Sequence, residues 1–207
     1  MRHPAGFGHR SDRPRLGGAA GRSVRAGYHR PMSRSYSSLR HPRTPRTAGL
    51  LALIGLGSLA ALAVALVAQH GFDIQPCPWC VIQRMVLIAV AVLALVAALA
   101  ARAAPRAAGV VGGVALLALA AGGAIAAWYQ HTVAAKQLSC AFTWADRTLM
   151  SLQLDAWLPS LFKVGATCAD ASKATLLGLP FEVWGGGWFS LVAIGAVVTV
   201  AAALRRS

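Results

Sequence analysis

The chain has 207 residues, 57% of them hydrophobic and 13% charged, with a formal net charge of +14. Its apolar runs reach the roughly 20 residues needed to cross a bilayer core. That excludes a single water-soluble domain, and because the runs are continuous rather than alternating, helices are selected over a β-barrel. The charge is local: residues 1–46 carry eleven arginines and one aspartate, net +10, against net +4 for the rest. The basicity therefore describes a cytoplasmic flank under the positive-inside rule rather than a nucleic-acid surface.

Residues 1–47 form a basic tail whose Arg, Ser, Gly and Pro content predicts disorder. Its composition is like a transit peptide's but shows no amphipathic period, and Met32, opening Met-Ser-Arg-Ser-Tyr, is an alternative start. The body, residues 48–204, is a membrane domain with four predicted spans at about 48–68, 81–101, 109–129 and 184–204. Residues 205–207 form the short end. The 69–80 connection has no Lys or Arg, whereas the tail, the 102–108 loop (Arg102, Arg106) and the C-terminus (Arg205, Arg206) are basic. This bias places both termini and the middle loop in the cytoplasm, and both cysteine-bearing connections on the opposite face. All six tryptophans lie in or beside those outward connections, as an interfacial belt does.

The glycines of the third span, Gly109, Gly112, Gly113, Gly122 and Gly123, suit close helix packing in lipid. In the long outward segment of about 130–183, Met150, Leu154, Trp157, Leu158 and Leu161 repeat at helical spacing among charged residues, with Pro159 as a limit. A short amphipathic helix lying at the membrane interface is expected there. The predicted architecture is an all-α membrane protein: a four-transmembrane-helix bundle with a short interfacial helix in the second outward loop.

Chemistry concentrates in Pro76-Cys77-Pro78-Trp79-Cys80-Val81-Ile82-Gln83-Arg84. A Cys-x-x-Cys pair favours thiolate reactivity, and Cys80 opens a helix whose N-terminal dipole favours an anion. Val81 in place of His excludes the usual c-type haem attachment, and the four cysteines lack a second short knuckle for zinc, so no metal is expected. A static disulfide at this pair closes too small a loop to stabilise much. Arg84 lies inside an apolar run, against the positive-inside bias and near a helix N-terminus that disfavours a cation. At i+4 it shares the face of Cys80. It can there stabilise a thiolate or an anionic cofactor oxygen, with snorkelling to the headgroups as the alternative. Cys140 and Cys168 are the natural second pair, either redox-active or a structural staple worth about 3–4 kcal/mol in the chain-entropy model. His131, where the third span leaves the membrane, is either a ligand to a polar group or a solvated interfacial residue. Gln69-His70 and Gln130-His131 precede the two cysteine regions alike, a weak sign of two related helix hairpins.

Four spans, Cys77-Pro78-Trp79-Cys80 with Gln83-Arg84 behind it, and a second cysteine pair in the long loop resemble the disulfide bond formation protein B (DsbB) family. So do Gly165-Ala166-Thr167-Cys168, Leu177-Gly178-Leu179 and Trp184, and the resemblance covers about residues 48–204. It implies a thiol:quinone oxidoreductase of the bacterial inner membrane with its cysteine loops in the periplasm, a compartment kept oxidising by DsbA, DsbB and quinone. By that resemblance a DsbA-like thioredoxin-fold dithiol attacks a Cys140–Cys168 disulfide, with Cys140 taking the mixed disulfide. Exchange with Cys77–Cys80 through an interloop disulfide follows. Cys80 then passes two electrons to a membrane quinone, ubiquinone or menaquinone, held near Arg84 and His131. The implied partners are the thiol oxidase, the quinone pool and the lipid bilayer. Two rivals are a vitamin K epoxide reductase-like enzyme, whose Cys-x-x-Cys belongs to a late helix, and a membrane scaffold with two structural disulfides.

Overall fold

A computed structural model describes residues 46–137 and 143–205. Met32, Cys140, Arg206 and residues 1–45 of the tail lie outside the described residues. Helix α1 (Arg46–Phe72) leads into α2 (Pro78–Ala100) and α3 (Pro105–Thr132), and a 3₁₀ turn (Ala134–Lys136) ends the third. Short elements follow: α4 (Trp144–Leu152), α5 (Leu154–Trp157), α6 (Pro159–Phe162), α7 (Cys168–Ala171) and the strands β1 (Thr175–Leu176) and β2 (Leu179–Pro180). The chain closes with α8 (Phe181–Leu204). Helices α1, α2, α3 and α8 are each long and apolar enough to cross a membrane, and all four overlap the predicted spans. Pro78 and Pro105 start α2 and α3 at a position where their missing N–H costs no hydrogen bond.

The bundle closes because α1 packs on α2, α2 on α3, α3 on α8 and α8 back on α1. Its middle is filled by Leu51, Ile54, Val90, Leu116, Val192 and Ala196. Apolar side chains such as Leu53, Val96, Val111, Leu191 and Ile194 cover the outside, as lipid-facing helices require. The predicted small-residue packing is present in α3: a Cβ on Gly113 would meet Val200, and one on Gly123 would meet the Phe189 ring, both on α8. Gly122 has nothing within 4 Å.

A second apolar cluster caps the bundle at the end where α1 leads into α2, drawing in Cys77, Trp79, Val81, Leu149, Phe162 and Cys168. The helix predicted through Met150–Leu161 is instead three short pieces. Gln153 takes a left-handed conformation (φ 49°) that caps α4, and Pro159 starts α6 after biasing Leu158 away from helix. Leu149 and Phe162 turn inward, while Met150 and Trp157 remain 68% and 80% exposed.

Candidate active site

Cys77 is the N-cap of α2, in extended backbone, and its carbonyl accepts from the Val81 N–H at 3.1 Å. This puts Cys80 in the first helical turn, with its Sγ 3.1 Å from Cys77 Sγ. Trp79, between the two cysteines, lies against Tyr129 (centroids 4.7 Å) and Trp144 (6.1 Å). Cys168 reaches the same place from the far loop. Both Cys77 and Cys168 are fully buried. Their hydrogen bond, opposed by the one to Cys80 and reinforced by burial, pushes the Cys77 thiol up to about 12.

Local sequence explains how the 160s loop holds Cys168 there. The Gly165 and Ala166 N–H groups both donate to Pro76 O, at 3.0 and 3.3 Å. A Cβ on Gly165 would lie 2.5 Å from Gln75 Oε1, so a larger residue would have to displace the Gln75 side chain. Thr167 then caps α7 by accepting from the Asp170 N–H at 3.1 Å. The Lys173 ammonium at 2.9 Å and the Thr167 hydroxyl hold the Asp170 carboxyl below its usual range.

On its other side Cys80 lines a cavity of about 260 Å³ between α1, α2, α3 and α8, with mainly apolar walls that include Leu87 and Trp188. Arg84 lines it too and is only 5% exposed. Its guanidinium donates to Gln69 Oε1, Leu161 O (3.1 Å) and Ala65 O (3.3 Å). All three acceptors are neutral, and among the described residues no carboxylate forms an ion pair with it, Glu182 bordering the same cavity but engaging His131. Gln130, fully buried, donates through Nε2 to Cys80 Sγ at 3.2 Å, and its Oε1 accepts from Gln83 Nε2 at 2.7 Å. Gln83 has room only because residue 185 is glycine: a Cβ there would meet Gln83 Oε1 at 2.5 Å.

Of the residues singled out in the sequence, Cys77, Cys80, Cys168 and Arg84 come together at one end of the bundle, and Cys140 lies outside the described residues. His131 does not line the cavity of Cys80 and Arg84. It lines a second, more open cavity, and its Nδ1 lies 3.2 Å from Glu182 Oε1. Glu182 lines both cavities. Gln69, Gln83, Gln130 and Glu182 are site residues to which sequence inspection gave no role, Gln83 having entered only as a neighbour of Arg84 in the motif. The repeated Gln-His before each cysteine region was the one signal for two of them.

The sequence profile of a family described as Disulfide bond formation protein DsbB matches residues 46–199. A Disulfide bond formation protein B of Burkholderia thailandensis is 35% identical over 142 residues, which is 69% of this chain and 80% of the relative. One from Herminiimonas arsenicoxydans is 34% identical over 133 residues, 63% of this chain and 80% of the relative. One from Ralstonia nicotianae is 29% identical over 142 residues, covering 69% and 86%.

Proposed function

The chain belongs to the disulfide bond formation protein B family of membrane proteins, and from that premise we propose that it is a thiol:quinone oxidoreductase. In this reading it reoxidises a periplasmic DsbA-like dithiol and passes the electrons to a membrane quinone, ubiquinone or menaquinone. It sits in the bacterial inner membrane with both termini cytoplasmic and the cysteine end periplasmic. The observation that carries the proposal is the double placement of Cys80: its sulfur touches Cys77 on one side and lines the Arg84 cavity on the other.

The cavity residues fit a quinone ring, which needs apolar walls and a few convergent polar groups. Leu87 and Trp188 supply the first; Arg84, Gln83 and Gln130 supply the second. Bound there, a quinone contributes a two-electron, two-proton acceptor. The protein's own groups do the rest. Cys140 takes the mixed disulfide with the incoming dithiol, and the Cys168 thiolate so released, already against Cys77, attacks the Cys77–Cys80 disulfide, bonding Cys77 and freeing Cys80, so that the electron pair passes inward. Gln130 aims an N–H at Cys80 Sγ, which favours charge on that sulfur. The unpaired charge of Arg84 favours an anion in the cavity. Burial of Cys77 and Cys168 keeps the exchanging sulfurs away from bulk water. The exposed Trp144, Met150 and Trp157 rest in the periplasmic headgroup region.

Anaerobic quinone reduction driven by a reduced thioredoxin-fold dithiol tests this. Wild-type protein reduces the quinone and Cys80→Ala does not; equal turnover by the two would sink the proposal.

A further inference from the structure

Glu182 stands in the first turn of α8 and is only 3% exposed. Its Oε1 meets His131 Nδ1 at 3.2 Å, while its Oε2 is buried with no hydrogen-bond partner among the described residues. A buried polar atom left unmatched is costly, and its persistence calls for a reason. A purely structural tie between α3 and α8 does not require the second oxygen to be left bare. It also does not require the residue to border both cavities, yet Glu182 lines the Cys80 cavity and the more open one beside it. His131 lines only the latter, and its side chain is 50% exposed. A carboxyl thus bridges the cavity of Cys80 and an imidazole in contact with water.

We propose that Glu182 and His131 form a proton-transfer pair connecting the cavity beside Cys80 to water at the cysteine end of the bundle. The inference rests on the thiol:quinone reading. Closing the Cys77–Cys80 bond releases two electrons and two protons, and converting a quinone to its quinol consumes two of each. Cys80 borders the cavity, so its proton stays inside. Cys77 belongs to the cluster with Cys168, and its proton leaves on the loop side. The second proton needed in the cavity comes from Glu182, which is recharged by His131, which takes its proton from water. One proton leaves and one enters on the same face, so none crosses the membrane. The other charged or titratable groups lining the two cavities are Cys80 and Arg84 in the first and Lys136 in the second. Gln130 directs its amide to Gln83 and Cys80, and Glu182 Oε2 accepts nothing from it.

Two measurements on the full-length protein test the pair. In steady state with a short-chain ubiquinone, Glu182→Gln should leave the quinone KM unchanged and lower kcat about 10- to 100-fold, in the lower part of the range for a lost acid–base group. The deficit should grow as pH rises and protons become scarce, and formate should restore part of the rate in Glu182→Ala. In quinone-free protein at acid pH, the infrared carboxyl band of Glu182, identified by its loss in Glu182→Gln, should shift quickly on transfer to D2O. In His131→Phe that shift should be slowed at least tenfold. Undiminished kcat in Glu182→Gln across the pH range, or equally fast exchange in His131→Phe, overturns the pair. If Glu182→Gln fails to fold, the band is identified instead by isotope-edited glutamate, and the His131→Phe comparison decides. A wild-type protein that does not reduce quinone would defeat the parent reading, while the exchange measurement would still report on the path.

Discussion

Replacing Gln130 with Leu removes the N–H aimed at Cys80 while keeping the volume close to that of the buried amide. Two costs follow from the geometry. Gln83 Nε2, now 2.7 Å from an acceptor, is left without one in a residue only 7% exposed. That should lower bundle stability by about 1–3 kcal/mol. The 3.2 Å bond to Cys80 Sγ is also lost. A hydrogen bond to a charged group is worth about 1.5–3 kcal/mol, and sulfur is a soft acceptor, so the lower end applies. At 1.36 kcal/mol per factor of ten, the Cys80-dependent step should slow about tenfold. Stopped-flow quinone reduction, with the dithiol partner saturating, reads this directly; thermal unfolding in detergent reads the stability term. Gln83→Leu added to Gln130→Leu should cost less than it does alone, because the amide it removes has already lost its acceptor. A folded Gln130→Leu protein within twofold of wild-type rate would refute the role given to this bond.

Arg84→Met should weaken quinone binding at least about tenfold. It removes the cavity's unpaired positive charge and leaves Gln69 Oε1 and Leu161 O without their donor. Arg84→Lys should recover only part, since an ammonium cannot reproduce the guanidinium's spread of donors; quinone titration measures both. Gly185→Ala puts a methyl 2.5 Å from Gln83 Oε1 and should slow quinone reduction in the same direction as Gln130→Leu. Gly187→Ala, with nothing within 4 Å, should be neutral by comparison. Cys168→Ala removes the largest influence that raises Cys77 to about 12. A raised thiol keeps its proton as pH increases, so the variant's Cys77 should ionise at lower pH, seen as an earlier rise in thiolate ultraviolet absorbance.

The sequence made some of this site conspicuous and left other parts unmarked, for physical reasons. Arg84 was legible because a cation inside an apolar run near a helix N-terminus is costly wherever it sits, and its three acceptors and burial are the answer to that cost. The cysteines were legible by spacing and by which connections carried them. Gln83 and Gln130 were not, because an amide near the end of a span is unremarkable until another helix supplies its partner. Here that partner is 47 residues away. Glu182 carried no motif and fell outside the predicted spans. Helix α8 begins at Phe181, three residues before the predicted span, and this moves Glu182 from a loop into the first turn against α3. The amphipathic stripe over Met150–Leu161 was visible as periodicity, but period cannot reveal a left-handed residue at Gln153 that divides it.

The relay from the loop cysteines to the cavity is tested most directly by mixing oxidised, quinone-loaded protein with one equivalent of reduced dithiol partner. The mixture is quenched with acid at intervals, and both the linked cysteine peptides and the quinol are followed. The placement of Cys168 against Cys77 and of Cys80 in the cavity wall predicts a Cys77–Cys168 linkage that rises and then falls as quinol accumulates. Quinol formed with no such linkage, or through one joining Cys168 to Cys80, would contradict it.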